Sequence, residues 1–161
     1  MKKLFYLLFL LPMAFFASCS DDDDLPQVDL TLTIDNVAMV DNNIYAVVGD
    51  TINIENYTVK SLTSQNASVT NVIYSLDGIP GLGMFVPYPP MVSPFKAYMI
   101  PTEQMVGKHV LGVSSTVLQV EKPIATAYCQ YPLVIVKDST DLPQGAVLGV
   151  QEITGRIDPK K

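Results

Sequence analysis

The sequence predicts an all-β fold: an antiparallel β-sandwich of about seven strands, after a cleaved leader and a short disordered tether. Three observations carry that prediction. Beyond residue 25, apolar residues recur with a period of two rather than the 3.6-residue period of an amphipathic helix. The runs are rich in Val, Ile, Thr and Tyr, which suit a pleated, half-buried surface. Polar turn residues separate the runs at strand-length intervals.

In chain order, Val28, Leu30, Leu32 and Ile34 alternate with Asp29, Thr31 and Thr33, which sends one face of a first strand into a core. Asp41-Asn42-Asn43 and Gly49-Asp50 are turns. Ile52, Ile54, Tyr57 and Val59 line a second strand, and Val69, Val72, Tyr74 and Leu76 a less regular third that ends at the turn Asp77-Gly78. The stretch from Ile79 to Pro94 stands apart. Pro80, Pro87, Pro89, Pro90 and Pro94 block a central strand and favour an extended loop. That loop is also apolar, so it either tucks across an open sandwich edge or forms a contact surface. Val110 to Val120 and Ala125 to Val136 are two long strands, preceded by turns at Gly107-Lys108 and Lys122-Pro123. After Leu142-Pro143-Gln144-Gly145, Ala146 to Ile153 either adds one more strand or packs as a short segment, and the charged end is loose.

Two short motifs narrow the fold. Gly107-Lys108-His109-Val110-Leu111-Gly112-Val113 resembles the G-x-H-x-L-x-V opening of a late strand in bacterial immunoglobulin-like domains, and Tyr74-Ser75-Leu76-Asp77-Gly78 resembles the Y-x-x-D-G end of their third strand. Phe95 then leads the strand before Gly107. The resemblance spans residues 44–137 and implies an immunoglobulin-like sandwich. It implies no function, because that architecture hosts many unrelated roles. The antibody-type disulfide and core Trp are missing: the chain has no Trp and only two cysteines, Cys19 and Cys129.

The N-terminus reads as an address. Lys2 and Lys3 precede an apolar stretch of 14 residues from Leu4 to Ala17, short of the roughly 20 needed to span a bilayer as a helix. Phe16-Ala17-Ser18-Cys19 resembles the lipobox of bacterial lipoproteins, with Phe16 where that family usually has Leu. The resemblance implies cleavage before Cys19, acylation of its thiol and of the new amine, and lasting attachment to a membrane. Ser20-Asp21-Asp22-Asp23-Asp24 follows. Four adjacent carboxylates repel one another and stay hydrated, the behaviour of a tether. The run is also similar to the acidic export signal of Bacteroidetes surface lipoproteins, which implies an outer-membrane location facing the cell exterior. The resulting division is a signal peptide over 1–18, a lipidated Cys and tether over 19–25, an immunoglobulin-like sandwich over 26–140 and a C-terminal extension over 141–161.

The full chain has 10 basic and 16 acidic residues, net −6, and loss of Lys2 and Lys3 with the leader takes it to −8. Nucleic-acid binding needs a basic face and is excluded on that balance. A single histidine, His109, and two cysteines leave no zinc ligand set or disulfide framework, and no cofactor or metal is expected. Cys129 sits in an apolar–aromatic run, where a free thiol behaves as a small hydrophobe. The acids fall mostly in turns, and no pair stands out for general acid–base chemistry. An enzyme is therefore not expected. Asp50-Thr51-Ile52 and Asp138-Ser139-Thr140 resemble the O-glycosylation sequon of Bacteroidetes exported proteins, which implies modification at Thr51 and Ser139. The competing reading is turn capping by the preceding Asp.

The function expected is a non-catalytic, surface-exposed lipoprotein that binds or assembles with another envelope component. Met84, Phe85, Tyr88, Pro89, Pro90 and Met91 are the contact residues expected, since apolar side chains on a stiff loop lose little entropy on binding. The alternatives are a glycan-binding accessory, using Tyr45, Tyr57, Tyr74, Tyr88, Tyr98, Tyr128 and Tyr131 as stacking platforms, and a subunit of a surface fibre. A fibre subunit would carry an unpaired edge strand or donate a terminal one, with Ala146 to Ile153 as the donor.

Overall fold

A computed structural model describes residues 25–80, 85–87 and 95–157. The leader, Cys19, the run from Ser20 to Asp24, and Met84, Tyr88, Pro89, Pro90 and Met91 lie outside the described residues.

The described chain is all-β. Its strands are β1 (Val28–Val40), β2 (Asn43–Val47), β3 (Ile52–Ser61), β4 (Ala67–Leu76), β5 (Ile79–Pro80), β6 (Val86–Pro87), β7 (Ala97–Met99), β8 (Gly107–Gln119), β9 (Ala125–Val136) and β10 (Gly149–Arg156). All ten join one continuous, curled sheet in the order β5-β4-β8-β9-β2-β1-β3-β7-β6, with β10 added on β1. Two expectations are corrected here. The strands number more than the seven foreseen, and the sheet is mixed rather than antiparallel, because β2 runs parallel to β9 from Ile44–Leu133 to Val47–Val136. Five-residue β2 pairs antiparallel with the end of β1 as well, so it closes a seam between two ladders.

β1 makes the curl. Val28 to Asp35 pair with β3, and Asp29 to Val37 pair with β10. Ala38 to Val40 pair instead with β2. The ladder shifts register around Asn36, whose φ of 62° puts it in the left-handed region that Asn tolerates better than most residues. The Asn36 side chain holds the bend by donating to the Thr51 carbonyl at 3.1 Å. Asp41 and Asn42 follow, both left-handed, as a tight two-residue hairpin turn requires. The expected turn at Gly107-Lys108 is instead the start of β8, and the reversal before it is the 3-10 turn Glu103–Met105.

The curl brings β3 against β8 and β9. Leu30, Leu32, Ile34, Ile54, Tyr57, Leu111, Val113, Leu133 and Ile135 belong to one buried cluster. Each buried side chain of this size contributes about 1.5–3 kcal/mol relative to exposure. Tyr57 from β3 reaches across: its hydroxyl accepts from Ser115 Oγ at 3.3 Å and meets Cys129 Sγ at 3.8 Å. Gln119 at the end of β8 is a buried polar residue with its amide satisfied. Its Nε2 donates to Ser61 Oγ at 2.9 Å and Thr63 Oγ1 at 3.1 Å, and its Oε1 accepts the Gln27 N–H at 2.8 Å. It thereby ties the chain's entry into β1 to the far end of β3.

Candidate functional site

The two strand motifs meet. Asp77 follows β4 in the left-handed region (φ 51°) and Gly78 comes next with φ 78°, the pair of conformations a hairpin turn of this kind needs. The turn aims Asp77 at the neighbouring β8. Its Oδ1 accepts the Val110 N–H at 2.8 Å, and its Oδ2 lies 2.6 Å from Nδ1 of His109. Nε2 of the same ring lies 2.7 Å from the Met105 carbonyl. Both partners can only accept, so the ring donates from both nitrogens, as only the imidazolium does. Burial disfavours that charge, but the bonds to Asp77 and Met105 and the carboxylate's charge outweigh it and raise the His109 pKa. The hydrogen bond from His109 correspondingly lowers the Asp77 pKa, against slight burial. The corner locks a turn, a strand and a 3-10 segment together, and each polar atom named has a partner.

A second region differs. A crevice of about 670 Å³ runs between β9 and β10, lined among others by Met39, Tyr128, Cys129, Tyr131, Ile153 and Gly155. Tyr131 is 6% exposed, yet its hydroxyl completes no hydrogen bond among the described residues. Gly155 faces it from β10: a Cβ there would stand 2.6 Å from Cys129 Sγ and 2.9 Å from the Tyr131 hydroxyl. Glycine is thus needed for β10 to approach β9 this closely. Burial pushes the Cys129 thiol pKa up, and the neighbouring Tyr57 and Tyr131 hydroxyls offset this only in part, so the thiol stays protonated at neutral pH.

The backbone along this crevice is half paired. On one side β9 pairs with β8 over Ala125 to Ile135. On the other, β2 covers only Leu133 to Val136. Val136 accepts the Val48 N–H at 3.0 Å on the β2 side, and Val110, opposite Pro132, turns its carbonyl away from β9 to accept the Asp77 N–H at 2.9 Å. Both bonds fix the same alternation: Thr126, Tyr128, Gln130 and Pro132 direct their backbone groups away from β8. Pro132 therefore costs the β8 ladder no donor, as a proline in a strand must not. Among the described residues the outward groups of Thr126, Tyr128 and Gln130 meet no strand.

The expected contact residues fare unequally. Phe85 is 3% exposed and packs on Tyr74 with ring centroids 6.0 Å apart, so it is a core residue and not a contact. Exposed Val86 and Pro87 follow it, as the edge strand β6. Three tyrosines proposed as sugar platforms, Tyr57, Tyr74 and Tyr131, are buried, while Tyr128 is 50% exposed and Tyr45 and Tyr98 are half-buried. Ser139 is exposed at the head of the 3-10 turn Ser139–Asp141, and Thr51 is half-buried. Among the described residues no cluster of three His, Cys, Asp or Glu could hold a metal ion. The extension after residue 140 adds β10 to the sheet, at Gly149–Arg156 rather than Ala146 to Ile153.

The crevice itself was missed by sequence reasoning, although Pro132 in the middle of a long strand was a usable sign that one side of that strand is an edge. No family model, curated protein or solved structure matches this chain.

Proposed function

We propose that this protein is a non-catalytic, lipid-anchored module of the outer membrane, exposed at the cell surface, that binds or assembles with another envelope component. In this reading Cys19 carries the acyl chains, Ser20 to Asp24 direct export, and the curled sheet is an immunoglobulin-like sandwich. One layer would be β10-β1-β3-β7-β6 and the other β2-β9-β8-β4-β5, with β1 passing between them at Asn36. The parallel β2–β9 seam and the Asp77–His109 corner support that assignment.

The observation that carries the binding role is the crevice beside the half-paired strand β9. The same observation favours a fibre subunit as the second reading, since such subunits join through open strand edges. The candidate donor strand, β10, is however paired with β1 within its own chain.

The test is mild detergent extraction of native membranes with a C-terminal tag, followed by mass spectrometry of the eluate. A near-stoichiometric envelope protein is the expected result. A protein recovered alone, with no partner after cross-linking in intact cells, would overturn the assembly role.

A further inference from the structure

We propose that the crevice beside β9 is a strand-addition site: it takes an extended segment of a partner polypeptide, which pairs with Thr126, Tyr128 and Gln130 and continues the ladder that β2 begins. The inference deepens the binding role above and rests on it.

Three features specify the occupant's chemistry. First, the free edge offers N–H and C=O groups of alternate residues at strand spacing, and another extended backbone meets that pattern with donors and acceptors in register. Second, the site is continuous with an interface already built. β2 occupies the same side of β9 from Leu133 to Val136 and stops there, because the chain turns away through Asp41 and Asn42 into β1. An incoming segment would lie end to end with β2 in the same sheet. Third, the crevice has a floor as well as an edge. Cys129, Tyr131 and Ile153 line it and give the inward side chains of the segment an apolar seat. Gly155 keeps β10 from filling the place with a side chain of its own.

Pro132 sets the register. It presents an outward carbonyl and no outward N–H, so pairing is complete over Thr126 to Gln130 and weakens at Pro132. The recognised segment is therefore short, about five residues at 3.3 Å each. Its side chains alternate between apolar, toward Cys129 and Tyr131, and polar, toward solvent.

The experiment uses the detergent-solubilised full chain and a phage-displayed library of random octapeptides. Selected peptides are expected to slow amide exchange at Thr126, Tyr128 and Gln130. Gln130→Pro removes one outward donor and leaves the β8 ladder intact, as Pro132 already does. It should weaken peptide binding by about tenfold or more, whereas Gln130→Thr should bind as the parent does. The melting temperature of each variant shows that it is folded, and Thr126→Pro provides a second proline should Gln130→Pro fail to fold. A library that yields no binder, peptides that bind the proline variants as well as the parent, or protection confined to other strands would each overturn strand addition. The broader binding role falls separately. If a partner co-purifies from membranes but leaves these three amides exchanging freely, the module stands and the strand-addition site does not.

Discussion

Two regions on either side of β9 handle buried polarity in opposite ways. At the Asp77–His109 corner a carboxylate, an imidazole, a backbone N–H and a carbonyl converge, and each finds its complement. Along the crevice Tyr131 is buried more deeply than His109, and its hydroxyl completes no hydrogen bond among the described residues. The corner does structural work that the chain completes by itself. The crevice lies beside a β9 edge that no described strand pairs, and in the proposed reading that difference separates a fold-determining contact from a receiving one.

Breaking the corner should have the largest effect. Asp77→Ala strips the acceptor from the Val110 N–H and from His109, and places Ala where φ is 51°. Urea denaturation should report a loss of about 2–3 kcal/mol. Asp77→Asn keeps an acceptor and tolerance of the left-handed region, and should recover about half of it. Equal losses for the two variants would mean that charge alone holds the corner.

On the crevice side the sharpest perturbation is steric. Gly155→Ala drives a Cβ toward Cys129 Sγ and the Tyr131 hydroxyl, so β10 must move away from β9. The cost should be about 1–2 kcal/mol, with faster amide exchange in β10 than in β8. Gly149, whose Cβ would meet nothing within 4 Å, is the control, and its Ala variant should be near neutral.

How much of this was legible in the sequence depends on whether a feature is local or relational. The alternation from Val28 to Ile34 marks the buried face of β1 directly, because each residue's side follows from its place in the pleat. Asp77-Gly78 announces its turn for the same reason. That Asp77 would meet His109, 32 residues on, is not local: both motifs were visible, but their pairing depends on which strand lies beside β4. Phe85 misled because a proline-rich neighbourhood describes the backbone and says nothing of whether Tyr74 offers a ring to pack on. The parallel seam was hidden because Asn43 to Val47 is too short to carry a periodicity. A free edge is the hardest feature of all, since it is the absence of a pairing, and only Pro132 hinted at it.

The corner also predicts a pH dependence. His109 is raised in the folded state, so its contribution is complete below the ordinary imidazole value near 6.5 and is lost as pH rises through the raised one. Asp77 is lowered, so its contribution is complete above the ordinary carboxylate value near 3.9 and is lost as pH falls through the lowered one. Stability should be highest between those limits. Each limb should amount to less than about 1 kcal/mol, because both groups are partly solvated. Denaturation midpoints measured across pH for the parent and for His109→Ala should differ in the upper limb, which the variant flattens.

The smallest effect discriminates best. Tyr57 and Tyr131 are both buried beside Cys129, and differ in that Tyr57 accepts from Ser115 while the Tyr131 hydroxyl, next to the Cys129 thiol, completes no hydrogen bond among the described residues. Removing the Tyr57 hydroxyl orphans Ser115, so Tyr57→Phe should cost about 1 kcal/mol. Removing the Tyr131 hydroxyl relieves an unmet desolvation cost, so Tyr131→Phe should be neutral or stabilising by up to about 1 kcal/mol in the free protein. Paired denaturation curves give the comparison without reference to any ligand. If both variants lose the same stability, the Tyr131 hydroxyl has a partner within the fold and the crevice is complete as it stands. If only Tyr57→Phe does, the Tyr131 hydroxyl carries an unmet desolvation cost beside the side of β9 that no described strand pairs from Thr126 to Gln130.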